Sequence, residues 1–584
     1  MKKIFLFLVF LFFSNSVFAD LTPQQRLDDA TQLINLYLHR YAPLTWKEEL
    51  LGIEFEELAE TLRDRAASAK NDLEFYDALL RFVSSLQDAH LFANIPSTHR
   101  SFLGFSVDDF NGEILITDID RHLLSEEAFP FQVGDTLAAL DEKPIDDVLE
   151  TLMPYRTFGH TPANRRIAAI FLTFRPQALI PFIPRGKISV KGISSKNGEE
   201  ITAELEWKHH GTPLAEFTER ATAIPFLTKA IALSKNDVLR TSFPLLSPQE
   251  RWSEIIAGNL FPHDPFFPPW ESFHVRETDP FVSGTLDFAG KKIGFIRINT
   301  WYFTNLDHMM DVFHFFAREI QYFQQNTDAL IIDQAGNGGG NPCIMEAVAG
   351  MLIQGPFRGY EFRLKATRPW LLEFENALQQ IKEAKLFHEA KLFEQSVEKI
   401  KIALKNGYAF TDPFPMCSLD GLLPQPKIEG KRILYTKPIL LLINETACSA
   451  GDMFPALLQD AGVMTLGTRT AGCGGHIEIV DNLGFSDLTV SVTGSLIVRP
   501  KPTSSHNGQM TRYIENIGVT PDIEYPITAE EFRSGYVGYK SAIEETILSL
   551  IERSIDASLR EASATKQSPA DSVHERSPRP SGSR

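Results

Sequence analysis

Between Leu73 and Leu86 apolar side chains return every three or four positions. Phe75, Leu79, Phe82 and Leu86 fall on one face, the period of a half-buried helix. Thr22-Pro23 supplies a cap and a first-turn proline, so residues 22–89 read as helical. The last helix runs out at Gln87-Asp88-Ala89-His90 and leaves His90 in the following loop. From 102 to about 208 strand and hairpin signals take over. Asn111-Gly112 precedes EILITDI, and Asn197-Gly198 separates ISVKGIS from EITAELEW; both dipeptides suit tight turns. Residues 222–290 show no period and carry many Pro and aromatic residues, as in LFPHDPFFPPWESF (260–273). From 291 strands and helices alternate. KKIGFIRINTWYF is a strand, 306–324 a helix and DALIIDQ (328–334) a buried strand leading into the glycine-rich loop AGNGGGN (335–341). A helix at 342–353, a strand at 438–443, a helix at 450–460 and the turn GTRTAGCGG (467–475) follow. Such alternation predicts an α/β layered core. Residues 370–405 read as an amphipathic, Lys/Glu-laced insert with a solvated surface, and the last residues, ATKQSPADSVHERSPRPSGSR, as a disordered tail.

Composition changes this picture in four ways. With 584 residues, 43% of them hydrophobic, the chain can bury several cores and is expected to hold more than one domain. A formal charge of −18 argues against nucleic acid as the main partner. The start, MKKIFLFLVFLFFSNSVFAD, has Lys2 and Lys3, an apolar stretch and a small-residue site ending at Ala19, the layout of a secretory signal. Polar Ser14, Asn15 and Ser16 interrupt the apolar run, and no later stretch is long and apolar enough for a helix to cross a bilayer, so a soluble exported protein is expected. Cysteines 343, 417, 448 and 473 lack CxxC spacing and no HExxH occurs, so neither a disulfide scaffold nor a metal or cofactor site is expected. In the β-rich region, FLGF (102–105) and VGDTLAALDEKPIDDVLETL (133–152) resemble a PDZ domain.

The chemistry centres on NETACSAGDMFP (444–455), where the apolar run PILLLI hands over to a helix. A hydroxyl there lies near helix N-terminal amides that favour negative charge. Serine is equally a common helix cap, so position alone leaves both readings open for Ser449. Six blocks in order carry a resemblance: YAPLTWKEELLG (41–52), DAHLF (88–92), ALIIDQAGNGGGN (329–341), LLINETACSAGDMFPALLQDAG (441–462), GTRTAGCGG (467–475) and IENIGVTPDI (514–523). Together they resemble the tail-specific, C-terminal-processing and tricorn-like serine peptidases, over residues 40 to 540 or so.

That resemblance implies a nucleophilic serine three residues before an acid, as in Ser449-Ala450-Gly451-Asp452, with Cys448 a small buried neighbour. The family splits over its base. One branch uses a Lys in the glycine-rich block, but none occurs between Ser449 and Pro500. The other uses a His after an N-terminal helix and a Glu near the C-terminal end, the places of His90 and Glu515; His476 is the rival base. Imidazole titrates near neutrality, and a carboxylate can fix its tautomer. The backbone amides of Gly339 and Ala450 are the expected oxyanion donors; Gly338 replaces the proline of the family's Asn-Pro-Gly-Gly.

The expected architecture is therefore a signal peptide (1–19), a helical domain bearing the base (20–100) and a PDZ-like domain (101–210). A linker or autoinhibitory segment (222–290) leads to an α/β catalytic core of β–α–β spiral, crotonase- or ClpP-like type (291–555) with a helical insert (366–430), then a tail (560–584). The expected activity is serine endopeptidase action on protein substrates, host proteins among them, without cofactor. Secretion, self-processing from a zymogen and homodimerisation are further implications of the resemblance. A non-catalytic peptide- or ligand-binding protein and a crotonase-type acyl-CoA enzyme are the competing classes.

Overall fold

The computed structural model describes residues 20–214 and 270–567, apart from 271, 279, 304, 424, 481 and 482. The signal segment 1–19, residues 215–269, which include 222–269 of the expected linker, and residues 568–584 of the tail lie outside the described residues.

Four helices, Pro23–Arg40, Leu44–Leu51, Phe55–Ser68 and Asp72–Ser85, come first among the described residues. Thr22 and Gln25 form a reciprocal capping box around Pro23. Phe75, Leu79, Phe82 and Leu86 are all buried, as their spacing predicts. A six-stranded sheet follows, built chiefly from Phe105–Phe110, Glu113–Ile119, Thr136–Leu140, Lys187–Ile193 and Glu200–Glu206. Its first hairpin turns at Asn111 and Gly112, with φ of 55° and 101°, the two positive values that a type I′ turn demands.

The core is a seven-stranded sheet in the order His274–Glu277, Val282–Phe288, Lys291–Arg297, Ala329–Asp333, Ile439–Ile443, Met464–Gly467, Ile523–Glu524. The strands from Lys291–Arg297 onward run parallel, and the first three of their four connections carry helices. Alternation sorts the side chains: Leu330, Ile332, Leu441 and Ile443 pack with the helices Leu306–Asn326, Pro342–Ala349 and Ala450–Asp460. Ile331, Leu440 and Leu442 face Tyr539, Ile543, Ile547 and Ile551 of the helix Val537–Gln567. A parallel sheet sandwiched between helices needs apolar residues on both faces, which explains the unbroken runs ALII and ILLLI. Among the described residues no helix is long and apolar enough to cross a membrane.

Four expectations need correction. The core begins before 291, because His274–Glu277 and Val282–Phe288 pair antiparallel at its edge, with Trp270 and Phe273 packed 6.2 and 5.6 Å from Phe295. Those two aromatics cover the sheet rather than belong to a linker. Helix Val537–Gln567 runs into the stretch assigned to the tail. The insert, helices Arg368–Glu383 and Phe387–Lys405, has a solvated face with the ion pairs Lys382–Glu394 and Lys401–Glu375, but buries Trp370, Phe374, Val397 and Ile400 in a core of its own. Finally, all four cysteines are paired, Cys343 with Cys417 and Cys448 with Cys473. Sequence separations of 74 and 25 hide such pairs from any spacing rule.

Candidate active site

Strand Ile439–Ile443 ends in a tight connection to helix Ala450–Asp460, and Ser449 stands at the junction. An ordinary capping residue takes extended backbone angles. Ser449 instead has φ 61° and ψ −121°, a conformation costing a non-glycine residue about 1–3 kcal/mol. It persists because its surroundings over-determine it. The Asp452 carboxylate accepts the amides of Ser449, Gly472 and Cys473, each at 2.9 Å. The Cys448–Cys473 disulfide ties the same two loops covalently, and the Cys448 amide donates to the Asn337 carbonyl at 2.9 Å. Burial pushes the Asp452 carboxyl up to about 6, and those amides together with Thr470 pull it back.

The glycine-rich loop presses on this junction. A Cβ on Gly339 would lie 2.6 Å from Ser449 Cβ and 2.9 Å from the Ala450 nitrogen; one on Gly451 would lie 2.1 Å from the Asn337 carbonyl oxygen. Only glycine permits that approach, and Gly339 also sits at φ 95°. The two expected oxyanion donors then part company. Ala450, first residue of its helix, has an amide with no acceptor among the described residues. The Gly339 amide donates to Asn337 Oδ1 at 2.9 Å, so as a free donor it is corrected: Gly339 shapes the floor beneath Ser449. Asn337 can do this because its amide group also donates to the Ile298 carbonyl and is locked.

The base side is assembled from distant parts of the chain. His90 is buried in the loop after helix Asp72–Ser85. Its amide donates to Asp88 Oδ1 at 2.8 Å, and its carbonyl accepts the Ser491 hydroxyl at 2.7 Å. Asp88 Oδ2 accepts Tyr41 and Thr493 hydroxyls, each at 2.9 Å, and Arg156 donates to the Ala89 and Leu91 carbonyls. Burial lowers the His90 imidazole to about 4; Asp88 opposes this, and Arg156, Lys47 and His476 add to it. A neutral imidazole at physiological pH is one able to accept a proton.

Glu515 is also buried. Its Oε1 accepts from Lys47 Nζ and its Oε2 from the Gly474 amide at 2.7 Å. Burial and the Asp88 charge raise its carboxyl well above the usual range, and Lys47 and the Gly474 amide pull it only part of the way back. The expected Glu515–His90 hydrogen bond is not made: the Glu515 oxygens are turned to Lys47 and the Gly474 amide, and His90 Nδ1 is buried without a partner among the described residues. The rival His476 turns towards the insert, its ring 4.9 Å from that of Trp370 and its Nε2 3.8 Å from Glu373.

Ser449 and His90 are thus joined through a continuous path: Cys448, Cys473, Gly474, Glu515, Lys47 and Gln87, with no direct hydrogen bond between them among the described residues. Sequence reasoning did not assign roles to Lys47, Asp88 and the disulfide, and used Asp452 only for its spacing. A signal for Lys47 existed: it falls three residues from both Leu44 and Leu50, on the buried face of helix Leu44–Leu51. Sulfurs of Cys448 and Cys473 and an Asp452 oxygen lie within 4.8 Å of one another, but the sulfurs are bonded and the carboxylate is filled by amides, so the cluster is a brace.

Two domain families match this chain: a PDZ domain over residues 99–214 and Peptidase family S41 over 292–525. The chain carries an S41 peptidase domain. It is similar to a protein of Chlamydia trachomatis serovar D, 28% identical over 614 residues and covering 94% of this chain and 98% of that one. A protein of Chlamydia muridarum is likewise 28% identical, with the same coverage. Among solved structures, mature CPAF complexed with lactacystin matches with a TM-score of 0.72 and 26% identity, covering 91% of this chain and 99% of that chain. Mature CPAF alone matches with the same TM-score at 25% identity. The S41 match covers the strained serine, the glycine-rich loop and Glu515, whereas His90 and Lys47 lie upstream of both matched domains. The architecture of a PDZ domain followed by an S41 peptidase domain is that of a protease.

Proposed function

We propose that this protein is an exported serine endopeptidase that hydrolyses protein substrates through Ser449, His90 and Glu515. The observation that carries the reading is the backbone of Ser449, a φ of 61° at a strand-to-helix junction where a mere cap would be extended. His90, neutral, takes the proton as Ser449 Oγ attacks the scissile carbonyl. The Ala450 amide and the helix N-terminus receive the developing oxyanion. His90 then returns the proton to the leaving amine, and water repeats the sequence on the acyl-enzyme. Glu515 and Asp88 supply the negative charge that stabilises an imidazolium in a buried site. The signal-like start supports export, and the position of residues 222–269 between the PDZ and S41 domains supports self-processing of a zymogen. Homodimerisation and host-protein substrates belong to the same proposal through the likeness to CPAF.

A fluorophosphonate probe followed by mass mapping tests it. Covalent label on the Ser449 peptide, lost in Ser449→Ala and in heat-denatured protein, is the expected result. Label on another serine, or none on folded protein, sinks the reading. For processing, Ser449→Ala should remain one chain while wild type cuts itself within 222–290, faster at higher concentration. Full activity in uncut wild type would remove the zymogen from the proposal.

A further inference from the structure

A lysine is among the side chains least suited to a protein interior, because an unpaired ammonium there is strongly disfavoured. Lys47 is nonetheless fully buried. Its Nζ donates to Glu515 Oε1 and, at 2.7 Å, to the Gln87 carbonyl. Trp46, its neighbour, donates Nε1 to the Glu515 backbone carbonyl at 2.8 Å, and Asn516 Nδ2 donates to the same Gln87 carbonyl at 2.9 Å. One helical turn therefore grips the Glu515 loop and the His90 loop together. Facing this point are Glu515, Asp88, His90 with Arg156 behind it, the Tyr41 hydroxyl and, further off, His476. With Lys47 present, two cations and two carboxylates balance. Without it, two buried carboxylates share a pocket with Arg156 alone, and Arg156 is turned to the Ala89 and Leu91 carbonyls. Two like charges in one buried site drive one of them to take a proton.

We propose that Lys47 is a positioning residue of the reaction: its ammonium pairs with the Glu515 carboxylate and fixes it while anchoring the loop that carries His90. This rests on the serine-peptidase reading and deepens it. The family's other branch draws its lysine from the block after the nucleophile; here that block carries Cys473 and Gly474. The lysine of this site comes from the N-terminal helical domain, and its ammonium donates to the acid and to the Gln87 carbonyl, so its role is to hold Glu515 rather than to accept the serine proton.

The test uses the full-length protein, a fluorophosphonate probe and labelled casein. Lys47→Met should slow the labelling of Ser449 at pH 7 by at least about tenfold, lowering kcat more than raising KM. The acid limb of the labelling rate should move to higher pH by about one unit, since removing a neighbouring cation lets both Glu515 and His90 hold protons more tightly. A merely structural lysine would lower the melting temperature and leave the limb of the folded fraction unmoved. Because Lys47→Met strands a buried charge, the pair Glu515→Gln and Lys47→Met/Glu515→Gln is made alongside; removing both partners spares the fold. If Lys47 acts through Glu515, the double variant is no slower than Glu515→Gln alone. Wild-type labelling in Lys47→Met with an unmoved limb, or a double variant slower by the full Lys47 effect, overturns the proposal. A wild type unlabelled at Ser449 overturns the serine-peptidase reading itself, an outcome the Lys47 variants cannot produce.

Discussion

The two halves of the proposed site, one around Ser449 and one around His90, are held by different physics. The nucleophile half comes from two short runs, 335–341 and 444–452, braced by residues 470–473, and backbone sterics sets its geometry. Ser449 is kept at positive φ by amide bonds to Asp452, and Gly339 and Gly451 let the loops touch. The base half gathers Tyr41, Lys47, Asp88, His90, Arg156, Gly474, Ser491, Thr493 and Glu515, and buried charge sets its geometry. The contrast teaches that one half should answer to changes of volume and the other to changes of charge and pH.

The largest effect breaks both halves alike. Ser449→Ala and His90→Ala should each lower proteolysis by roughly 10⁴-fold or more, with little loss of stability, as peptide cleavage and circular dichroism will show. Full activity in His90→Ala with loss in His476→Ala would move the base to the insert side. Gly339→Ala comes next and tests the steric half: a methyl 2.6 Å from Ser449 Cβ cannot be absorbed, so labelling of Ser449 should fall about 100-fold and stability by about 1–3 kcal/mol. Unchanged labelling would mean the loop is free to retreat.

A pH profile tests the charged half. With the imidazole lowered to about 4, it stays neutral as pH falls past the usual histidine range, so the histidine-linked acid limb of kcat/KM should lie well below 6 in wild type. Asp452 near 6 adds a separate step, visible as the part that His90 substitutions leave in place. A single limb at the ordinary histidine value would contradict the burial of His90. The smallest catalytic effect belongs to Glu346, on the helix after the glycine-rich loop. Its carboxyl is pushed up to about 8 by burial, against the Tyr360 amide that pulls it down. A carboxyl raised on folding binds its proton more tightly in the native state, so stability falls as pH rises from about 4.5 to 8. Glu346→Gln should flatten that slope in urea unfolding at pH 5 and pH 8, raising stability at pH 8 while leaving labelling near wild type. An unaltered slope would place the proton elsewhere.

The same contrast explains what the sequence made legible. Helix periods, the Asn-Gly turns, the buried runs ALII and ILLLI and the serine-to-aspartate spacing are local patterns, and the structure keeps each of them. The orientation of the Gly339 amide was not legible, because the side chain of Asn337 two residues earlier captures it. Trp270 and Phe273 read as a linker because edge strands carry weak alternation; their partner Phe295 lies beyond a turn. The Cys448–Cys473 bond and the Lys47–Glu515 pair join positions that no periodicity links. His90 and Glu515 were placed by resemblance, and the turning of Glu515 to Lys47 rather than to His90 depends on a contact 468 residues apart in the chain.

The Ser491 hydroxyl that grips the His90 carbonyl lies 401 residues further along the chain, and Glu515 lies later still. A polypeptide emerging from its N-terminus presents the base loop early and its clamps last. Until Ser491 and then Glu515 have appeared, His90 has neither the Ser491 clamp nor the Lys47–Glu515 lock, and its neighbours must wait unpaired. Closure over so long a stretch is slow compared with forming the local strand–helix junction at Ser449. On the proposed triad, a nascent or truncated chain that stops short of Glu515 would own its serine and still be unable to cut.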